Sequence, residues 1–400
     1  MGQCTRLLIV DDDTNLLAGL RRAAYSERHI WSVETESDPR KALSRLEQAQ
    51  FDVVISDMRM PEISGVDVLA KTRETQPEAT RIILSGHSDH DSAMRSVQHA
   101  HQYLAKPCEF SDIQALVQRL ATLRDILTAD AVRSRVANMT ALPSMPAVYR
   151  ELSAALEDEE TTAQSIGSLV AQDPAMTAKL LQLVNSSFFG LQRSVASPKE
   201  AVSLLGTEVI RGLMVQVGVF DATDESVRQR FNLDALCRQA FQVARIAQVV
   251  AECERLPRQY IEASYSGGLL HNVGILLLAQ NFPDEWSQIL QMQSQQDGAP
   301  HLIEDHILGC NHMDVGAYLL NLWGLPDGVV ESVALQNRPA EQTGDELNPT
   351  SVVSIARALG AEPDASQAHL DGMLERYHCQ QRLEPWLKRL KRCNISLGHG

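Results

Sequence analysis

Apolar and polar positions follow two different periods along this chain. Through about residue 120, short β-rich apolar runs alternate with helical patterns, which predicts a parallel sheet with crossover helices. From about residue 110 onward only the helical period remains, so an all-α region is predicted to follow the α/β region. Five strands are predicted, at RLLIV (6–10), WSVET (31–35), DVVIS (52–56), RIILS (81–85) and HQYLA (101–105), with five helices between and after them.

Helix-start and helix-stop residues divide the pattern further. Asp38 before Pro39, and Asp173 before Pro174, each predict an N-cap with proline at the first helical position. Ser197, followed by a proline and Glu200, predicts a capping box for another helix. The chain is predicted to hold four segments: an α/β domain at 1–125, a helical linker at 126–141, an all-α domain at 142–338 and a C-terminal helical extension at 339–400.

Charge and hydropathy narrow the range of functions. The net charge is −15, and residues 126–400 hold 32 acidic and 21 basic side chains. A region this acidic repels phosphate backbones, which argues against binding to DNA. No apolar run approaches the ~20 residues that a membrane span needs, so a cytoplasmic protein with no membrane contact is expected.

Acidic and basic side chains follow the predicted strands. Asp11 and Asp12 end the first strand and Asp57 ends the third, and the carboxyl ends of neighbouring parallel strands meet in one crevice. Carboxylates gathered there suit Mg²⁺, which prefers oxygen ligands. Ser85 ends the fourth strand and Lys106 follows the fifth. A carboxylate nucleophile, a metal, a hydroxyl and an ammonium group around one point are what phosphoryl transfer requires. Asp13, in contrast, is predicted to be only a helix N-cap.

Four segments, LLIVDDD, DVVISDMRMPEISG, IILSG and YLAKP, resemble the signatures of response regulator receiver domains, in family order and spacing. The resemblance covers residues 5–125 and implies a flavodoxin-like fold with a five-stranded parallel sheet. It implies that Asp57 is the phosphoacceptor and that Asp11, Asp12, Asp57 and the backbone carbonyl of Arg59 bind Mg²⁺. It also implies that Ser85 and Tyr103 are switch residues and that Lys106 stabilises the phosphoryl group.

The second region resembles HDOD domains, which are relatives of the HD-type metal phosphohydrolases. The resemblance runs from 142 to 338 and is carried by DPAMTAKLLQLVNSSFFG (173–190), SPKEAVSLLG (197–206), GLLHNVGILLL (268–278) and HMDVGAYLLNLWGLP (312–326). An HD-type site needs histidines and carboxylates clustered on neighbouring helices, because they must hold two metals.

Several positions of that metal pattern hold amides in this chain. His271 is followed by Asn272 where the pattern has a His-Asp doublet, and an amide cannot act as a bridging anion. Gln239 and Gln336 stand where histidines are expected. His271 and His312 alone remain, and we interpret both as structural histidines in a helical core. The metal-binding pattern is therefore degenerate in this sequence, and no cofactor is expected in this domain.

A second group of metal-capable side chains lies at residues 301–312, but its spacing lacks the HExxH register. We interpret this group, His301, Glu304, Asp305, His306 and His312, as a solvated helix face.

The sequence thus predicts a bacterial two-component response regulator that a sensor histidine kinase phosphorylates. Its output is expected to be a non-catalytic HDOD module that binds other signalling proteins, with homodimerisation as a further possibility. Two alternatives stay open: a receiver-regulated metal-dependent phosphodiesterase, and a module that senses a nucleotide without hydrolysing it. Metal content of the helical region separates the enzyme from the interaction module.

Overall fold

The chain forms two compact units. A computed structural model describes residues 5–25, 28–85, 99–124, 136, 146–158, 161–186, 189, 191, 193–215, 225–295, 300–338, 346–360, 367–395 and 397. The first unit comprises Met1–Ala141, Gln182–Arg193 and Leu322–Gly324, and the second comprises the remaining residues. No helix within the described ranges combines the length and the apolar character needed to cross a bilayer.

Five parallel strands form one sheet in the first unit, and they confirm the predicted strands to within one residue at each end. The strands are β1 Thr5–Val10, β2 Trp31–Glu36, β3 Val53–Asp57, β4 Thr80–Ser85 and β5 Gln102–Ala105. Their order across the sheet is β2-β1-β3-β4-β5, which is the flavodoxin-like order. Every residue of β3 is buried, as expected for a central strand that is covered on both faces.

Helices cover both faces of this sheet. They are α1 Thr14–Tyr25, α2 Pro39–Gln48, α3 Gly65–Thr75 and α4 Phe110–Arg124. Alternate strand residues enter two separate apolar clusters, for example Leu8 and Val54 in one and Leu7 and Ile55 in the other. The remaining predicted helix would lie between β4 and β5, at residues 86–98, outside the described residues. The predicted linker at 126–141 also lies outside them, apart from Val136.

The N-terminal caps predicted from the sequence are present. Asp38 lies directly before α2, and its side chain accepts a hydrogen bond from the Arg40 N–H at 2.9 Å. Asp13 accepts from the N–H of Asn15 at 2.9 Å and of Leu16 at 3.2 Å, and so caps α1. These bonds satisfy backbone donors that the first turn of a helix leaves open.

After α4 the described residues form α-helices and no β-strand, which confirms the predicted all-α region. These helices are α5 Pro146–Glu157, α6 Ala163–Val170, α7 Pro174–Val184, α8 Pro198–Leu205, α9 Thr207–Val215, α10 Glu225–Arg230, α11 Leu233–Cys253, α12 Arg258–Leu270, α13 Val273–Asn281, α14 Pro283–Gln295, α15 Pro300–Leu308, α16 His312–Leu322, α17 Asp327–Ala334, α18 Pro349–Leu359, α19 Gln367–Arg376 and α20 Leu383–Arg392. Asp173 caps α7 through the Met176 N–H at 3.0 Å, and the Ser197 hydroxyl caps α8 through the Glu200 N–H at 3.2 Å.

The last three helices share a core with α11. Val250 of α11, Val353 of α18, Leu374 of α19 and Trp386 of α20 belong to one cluster of buried apolar side chains. Trp386 is fully buried, and its indole N–H donates to Oε1 of Glu254 at 2.8 Å, so the polar end of the ring also has a partner. The C-terminal extension is therefore an integral part of the helical core.

Candidate functional sites in the receiver and the helical domain

The carboxyl ends of β1 and β3 bring three aspartates together. Asp11 follows β1 directly, Asp57 is the last residue of β3, and the two strands pair in parallel. One carboxylate oxygen from each of Asp11, Asp12 and Asp57 lies within 4.8 Å of the other two. Asp11 and Asp57 are buried, whereas Asp12 is exposed. Within the described part of the chain, this is the one group of three or more metal-capable side chains that lie so close.

Lys106 reaches the same point from the loop after β5. Its Nζ lies 2.7 Å from Oδ2 of Asp11 and 2.7 Å from Oδ1 of Asp57. The Lys106 backbone N–H donates to the carbonyl oxygen of Ser85 at 2.9 Å, so the loop is attached to the end of β4. The lysine thus places one positive charge between two of the three carboxylates.

Gly65 allows the loop that follows Asp57 to close tightly. A Cβ at this position would lie 1.9 Å from the backbone oxygen of Asp57, well inside van der Waals contact. The Gly65 N–H donates to the Met58 carbonyl at 3.1 Å, and Ser64 caps α3 in a reciprocal capping box with Asp67. Only a residue without a Cβ lets α3 begin this close to the end of β3.

The pKa values of the Asp57–Lys106 pair reflect burial and surplus negative charge. Burial raises the pKa of the Asp57 carboxyl; Lys106 lowers it, and the charges of Asp11 and Asp12 raise it again, so that it lies above its ordinary value. Burial lowers the pKa of the Lys106 ammonium, but its bonds to Asp11 and Asp57 outweigh this effect and leave it raised. The lysine is therefore firmly charged, and it does not neutralise the site.

The predicted switch residues lie on one face of the sheet, on the neighbouring strands β4 and β5. Ser85 pairs with Ala105, and Ile83 pairs with Tyr103, so Ser85 and Tyr103 are diagonal neighbours across β4 and β5. Both are buried, and the Tyr103 ring packs in the apolar cluster that contains Ile83. Arg59 lies two residues after Asp57 with an exposed side chain. The metal-binding role of its carbonyl stays a prediction.

Magnesium suits the donors of this pocket. Three carboxylates face one ammonium group, which leaves two formal negative charges at a point where hard oxygen donors converge. A divalent cation with oxygen preference matches both the charge and the ligand type. Each site residue is adjacent to a strand end in the sequence, which is why these positions could be predicted.

Two of the HD-type positions, His271 and Gln336, form hydrogen bonds with backbone carbonyl oxygens. His271 is fully buried, and its Nδ1 lies 2.6 Å from the carbonyl oxygen of Gly268, so this nitrogen carries the ring proton and donates it. The Gln336 amide donates to the His271 carbonyl oxygen at 2.8 Å and to the Val333 carbonyl oxygen at 3.2 Å. The Nε2 of Gln336 therefore links the backbone at His271 to the backbone at Val333 through two hydrogen bonds.

His312, predicted to be a structural histidine of the helical core, is buried in a pair with Glu304, whose burial was not predicted. Oε2 of Glu304 lies 2.7 Å from Nδ1 of His312 and accepts the His312 backbone N–H at 2.8 Å. The two side chains are 2% and 1% exposed, so our interpretation of residues 301–312 as a solvated helix face is wrong for both. Helix–helix packing turns them inward. Asp305 and His306 are exposed, and for them that interpretation is confirmed.

Three of the HD-type positions line one cavity of about 250 Å³. They are Gln239 of α11, Asn272 at the start of α13 and His312 at the start of α16. Glu304 and Arg357 line it as well. The structure therefore brings these predicted positions together, while His271 and Gln336 are joined to each other.

Sequence reasoning missed Arg357. This arginine is 1% exposed, lies in α18 within an otherwise apolar or small-residue helix, and donates through Nη1 to Oδ1 of Asn337. Charged residues are almost never buried to this degree unless they are paired. Its position as the one charged residue of the run SVVSIARALG could have indicated that this arginine is buried.

Comparisons with known proteins agree with this division of the chain. A family model of the response regulator receiver domain matches residues 7–118, and a model of the HDOD domain matches residues 142–339. The crystal structure of the MmoQ response regulator from Methylococcus capsulatus has a TM-score of 0.51 and 24% identity to this chain. It covers 62% of this chain and 98% of its own length, a likeness that shows the fold.

Relatives identified by sequence match parts of the chain. An uncharacterized protein of Treponema pallidum is 28% identical over 195 residues, which are 48% of this chain and 37% of that protein. The DNA-binding transcriptional regulator NtrC of Proteus hauseri is 34% identical over 149 residues, 36% of this chain and 31% of its own length. The matches thus span about a third of the length of these curated relatives.

The sheet order, the acidic group at the strand ends and the two matched family models all lead to one assignment. The chain belongs to the response regulators, with an N-terminal receiver domain followed by an HDOD domain.

Proposed function

We propose that this response regulator is controlled by phosphorylation of Asp57, and that its HDOD domain passes the signal to other proteins without catalysing a reaction. The observation that carries the proposal is the double contact of Lys106 with Asp11 and Asp57 at 2.7 Å each. The phosphodonor is a sensor histidine kinase, the usual partner of a receiver domain.

The pocket residues have separate roles in the transfer. A carboxylate oxygen of Asp57 attacks the donor phosphorus; the new O–P bond forms as the bond to the leaving group breaks, and that group keeps the electron pair. Mg²⁺, when held by Asp11, Asp12, Asp57 and the Arg59 carbonyl, supplies positive charge at the phosphoryl oxygens. The Lys106 ammonium and the Ser85 hydroxyl stabilise the same oxygens from the protein side.

The switch uses the diagonal pair on β4 and β5. When the Ser85 hydroxyl turns toward the phosphoryl oxygens, space opens beside it on the sheet face that Tyr103 shares. A changed Tyr103 rotamer then alters the surface of β4 and β5, and with it the domain arrangement or a homodimer contact. Solution scattering with and without phosphodonor tests this step, and identical curves would argue against it.

Labelling of the full chain tests the proposed acceptor. Incubation with acetyl phosphate and Mg²⁺ should add one phosphoryl group per chain, detected by intact mass, and Asp57→Asn should remove it completely. The matched control is Asp52→Asn, directly before the other end of the same strand, where the Asp52 carboxylate accepts the Arg6 N–H. Labelling that persists in Asp57→Asn, or that disappears in Asp52→Asn as well, would contradict the assignment.

The absence of catalysis in the HDOD domain is proposed from its amides. Asn272 and Gln239 line the cavity where an HD enzyme would place an aspartate and a histidine, and neither can supply an anionic or imidazole ligand. The acidic output region favours protein partners over DNA. The full chain should therefore hydrolyse neither cyclic dinucleotides nor phosphomonoesters in Mn²⁺ or Mg²⁺. Turnover that depends on His271 or His312 would contradict this part of the proposal.

A further inference from the structure

The cavity in the HDOD domain has a wall that is apolar and partly aromatic. Phe231, Leu236, Ile275, Trp286 and Leu290 all contribute to it. Leu290 is 40% exposed, so the apolar wall continues to the surface of α14. A flat apolar body that enters the cavity would therefore leave water for an apolar surface, which favours binding.

Trp286 supplies a hydrogen-bond donor that the protein leaves unused. The residue is 4% exposed and lines the cavity, yet its indole N–H forms no hydrogen bond within the described residues. The indole of Trp386 shows the usual arrangement, since its N–H donates to Glu254 at 2.8 Å. A buried donor without a partner is unfavourable, and an acceptor on a molecule in the cavity would satisfy it.

Two amides add hydrogen-bonding groups to the same wall. Gln239 of α11 and Gln293 of α14 line the cavity and are half-buried. In the described part of the chain, neither side chain forms a hydrogen bond. A glutamine amide can both donate and accept. One indole donor and two amides therefore match a ring whose edge carries acceptors together with N–H groups.

The charged residues of the lining favour a neutral occupant. Glu304 and Arg357 are each 1% exposed and carry opposite formal charges. Oε2 of Glu304 accepts two hydrogen bonds from His312, and Arg357 donates to Asn337. Both side chains thus have partners inside the protein. An ion in the cavity would lose its hydration without gaining an unengaged counter-charge, which is costly.

The volume limits the size of the occupant. At about 250 Å³, the cavity is slightly smaller than the roughly 300–1,000 Å³ of most small-molecule sites. One small ring system fits this volume, and a dinucleotide does not.

We propose that this cavity binds a small neutral heteroaromatic molecule of the size of a nucleobase or a ring carboxamide. Its ring lies against the apolar wall, an acceptor on its edge takes the Trp286 N–H, and the amides of Gln239 and Gln293 bind its other polar groups. The HDOD domain then has a ligand input of its own, at the place where an HD enzyme would hold metal. This inference does not depend on phosphorylation of Asp57.

Binding is measured by calorimetry on the full chain in EDTA, which removes metal from the receiver pocket. The neutral probes are adenine, uracil and nicotinamide, and nicotinate is the anionic comparison. At least one neutral probe should bind, and nicotinate should bind at least ~10-fold more weakly than the best of them. None of these probes carries a phosphate, so the result is independent of the hydrolysis that would contradict the proposed function. Absence of binding by all three neutral probes at about 1 mM, or equal binding of nicotinate, would overturn the inference.

Matched substitutions then locate the site. Trp286→Phe keeps an aromatic ring but removes the N–H, and it should weaken binding of the best probe at least ~10-fold. The control is Trp386→Phe, the same change at an indole that donates to Glu254 and lies outside the cavity lining; it should leave binding unchanged. Equal binding by the two variants, in folded protein with unchanged circular dichroism, would overturn the inference.

A second pair of variants serves if either tryptophan substitution unfolds the domain. Gln239→Glu removes the amide donors and adds a negative charge at the half-buried wall, so it should weaken binding at least ~10-fold. Gln291→Glu, the same change at an exposed position of α14, should have no effect. Equal affinities of these two variants for the best probe would likewise overturn the inference.

Discussion

The receiver pocket and the HDOD cavity use similar side chains but distribute their charges differently. In the receiver, Asp11, Asp12 and Asp57 face Lys106 alone, so two negative charges remain for a metal to offset. In the cavity, Glu304 is bound by His312, and Arg357 supplies a formal positive charge of the same size.

This difference supports the proposal that the receiver pocket binds a metal and reacts, whereas the HDOD cavity does not. Surplus charge in a partly buried pocket raises free energy and is relieved by cation binding, which makes the receiver pocket responsive. The opposite formal charges of Glu304 and Arg357 give the HDOD cavity less attraction for a divalent cation than the receiver pocket has. The predictions below test each side of this contrast.

The largest effect is expected from breaking the buried pair of the HDOD domain. Glu304→Ala leaves the His312 backbone N–H and ring without their acceptor, and two hydrogen bonds to a charged group together contribute on the order of 3 kcal/mol. The free energy of unfolding, followed by denaturant titration of tryptophan fluorescence, should fall by about that amount. His306→Ala, on the exposed side of the same helix, should change it by less than about 0.5 kcal/mol. Equal effects of the two variants would show that the pair is not a stabilising contact.

Two glycines offer a parallel test in the two domains. A Cβ at Gly65 would lie 1.9 Å from the Asp57 carbonyl oxygen, and one at Gly274 would lie 1.8 Å from the His312 carbonyl oxygen. Alanine at either position should lower the free energy of unfolding by about 1–3 kcal/mol, because the backbone must shift.

The controls for these variants are Gly19 and Gly372. Both are helical, and a Cβ at either would meet nothing within 4 Å. Gly19→Ala and Gly372→Ala should raise the free energy of unfolding by about 0.5–1 kcal/mol, since glycine weakens a helix interior. If alanine changed the free energy of unfolding in the same direction at all four positions, the backbone around Gly65 and Gly274 would not be rigid. Gly65→Ala should also slow labelling of Asp57, whereas Gly274→Ala should not.

The surplus charge of the receiver pocket predicts how Mg²⁺ binds. Asp12→Asn removes one of the three carboxylates but leaves the Lys106 contacts with Asp11 and Asp57 intact. Mg²⁺ affinity, measured by calorimetry, should fall at least ~10-fold, which is about 1.4 kcal/mol. Asn272→Asp in the HDOD cavity should not create a comparable Mg²⁺ or Mn²⁺ site, because Arg357 remains in the wall. Stoichiometric metal in that variant would contradict the charge argument.

The smallest expected effect is a pH shift at Asp57. In metal-free protein its carboxyl should titrate above the ordinary value of 3.8, and Asp12→Asn should lower that pKa because a nearby negative charge is removed. The folded chain then binds more protons at this site than the unfolded chain does. The contribution of Asp57 to stability therefore falls as the pH rises from 3.8 through its raised pKa. Carbon-13 NMR of the carboxyl group measures the titration, and a pKa below 3.8 would contradict the assignment.

The sequence was sufficient for the receiver because its site residues are tied to strand ends. Period-two patterns set the strands, and a parallel sheet then brings Asp11, Asp57 and Lys106 to the same edge whatever the details of packing. In the HDOD domain the helices could be predicted from their caps and period, but not their packing. Glu304, His312 and Arg357 meet only because α15, α16 and α18 cross at particular angles, which no local pattern encodes. For this reason Glu304 was misinterpreted and Arg357 was missed.

The shared core of the C-terminal helices has a consequence for how this protein could have been assembled from parts. The HDOD family match ends at residue 339, yet Val353, Arg357 and Trp386 complete the same core and cavity. Gene fusion or exchange that moved only residues 142–339 would transfer a domain with one open apolar flank and an incomplete cavity wall. The unit that can be inherited or transplanted intact is therefore longer than the family signature, and extends at least to α20.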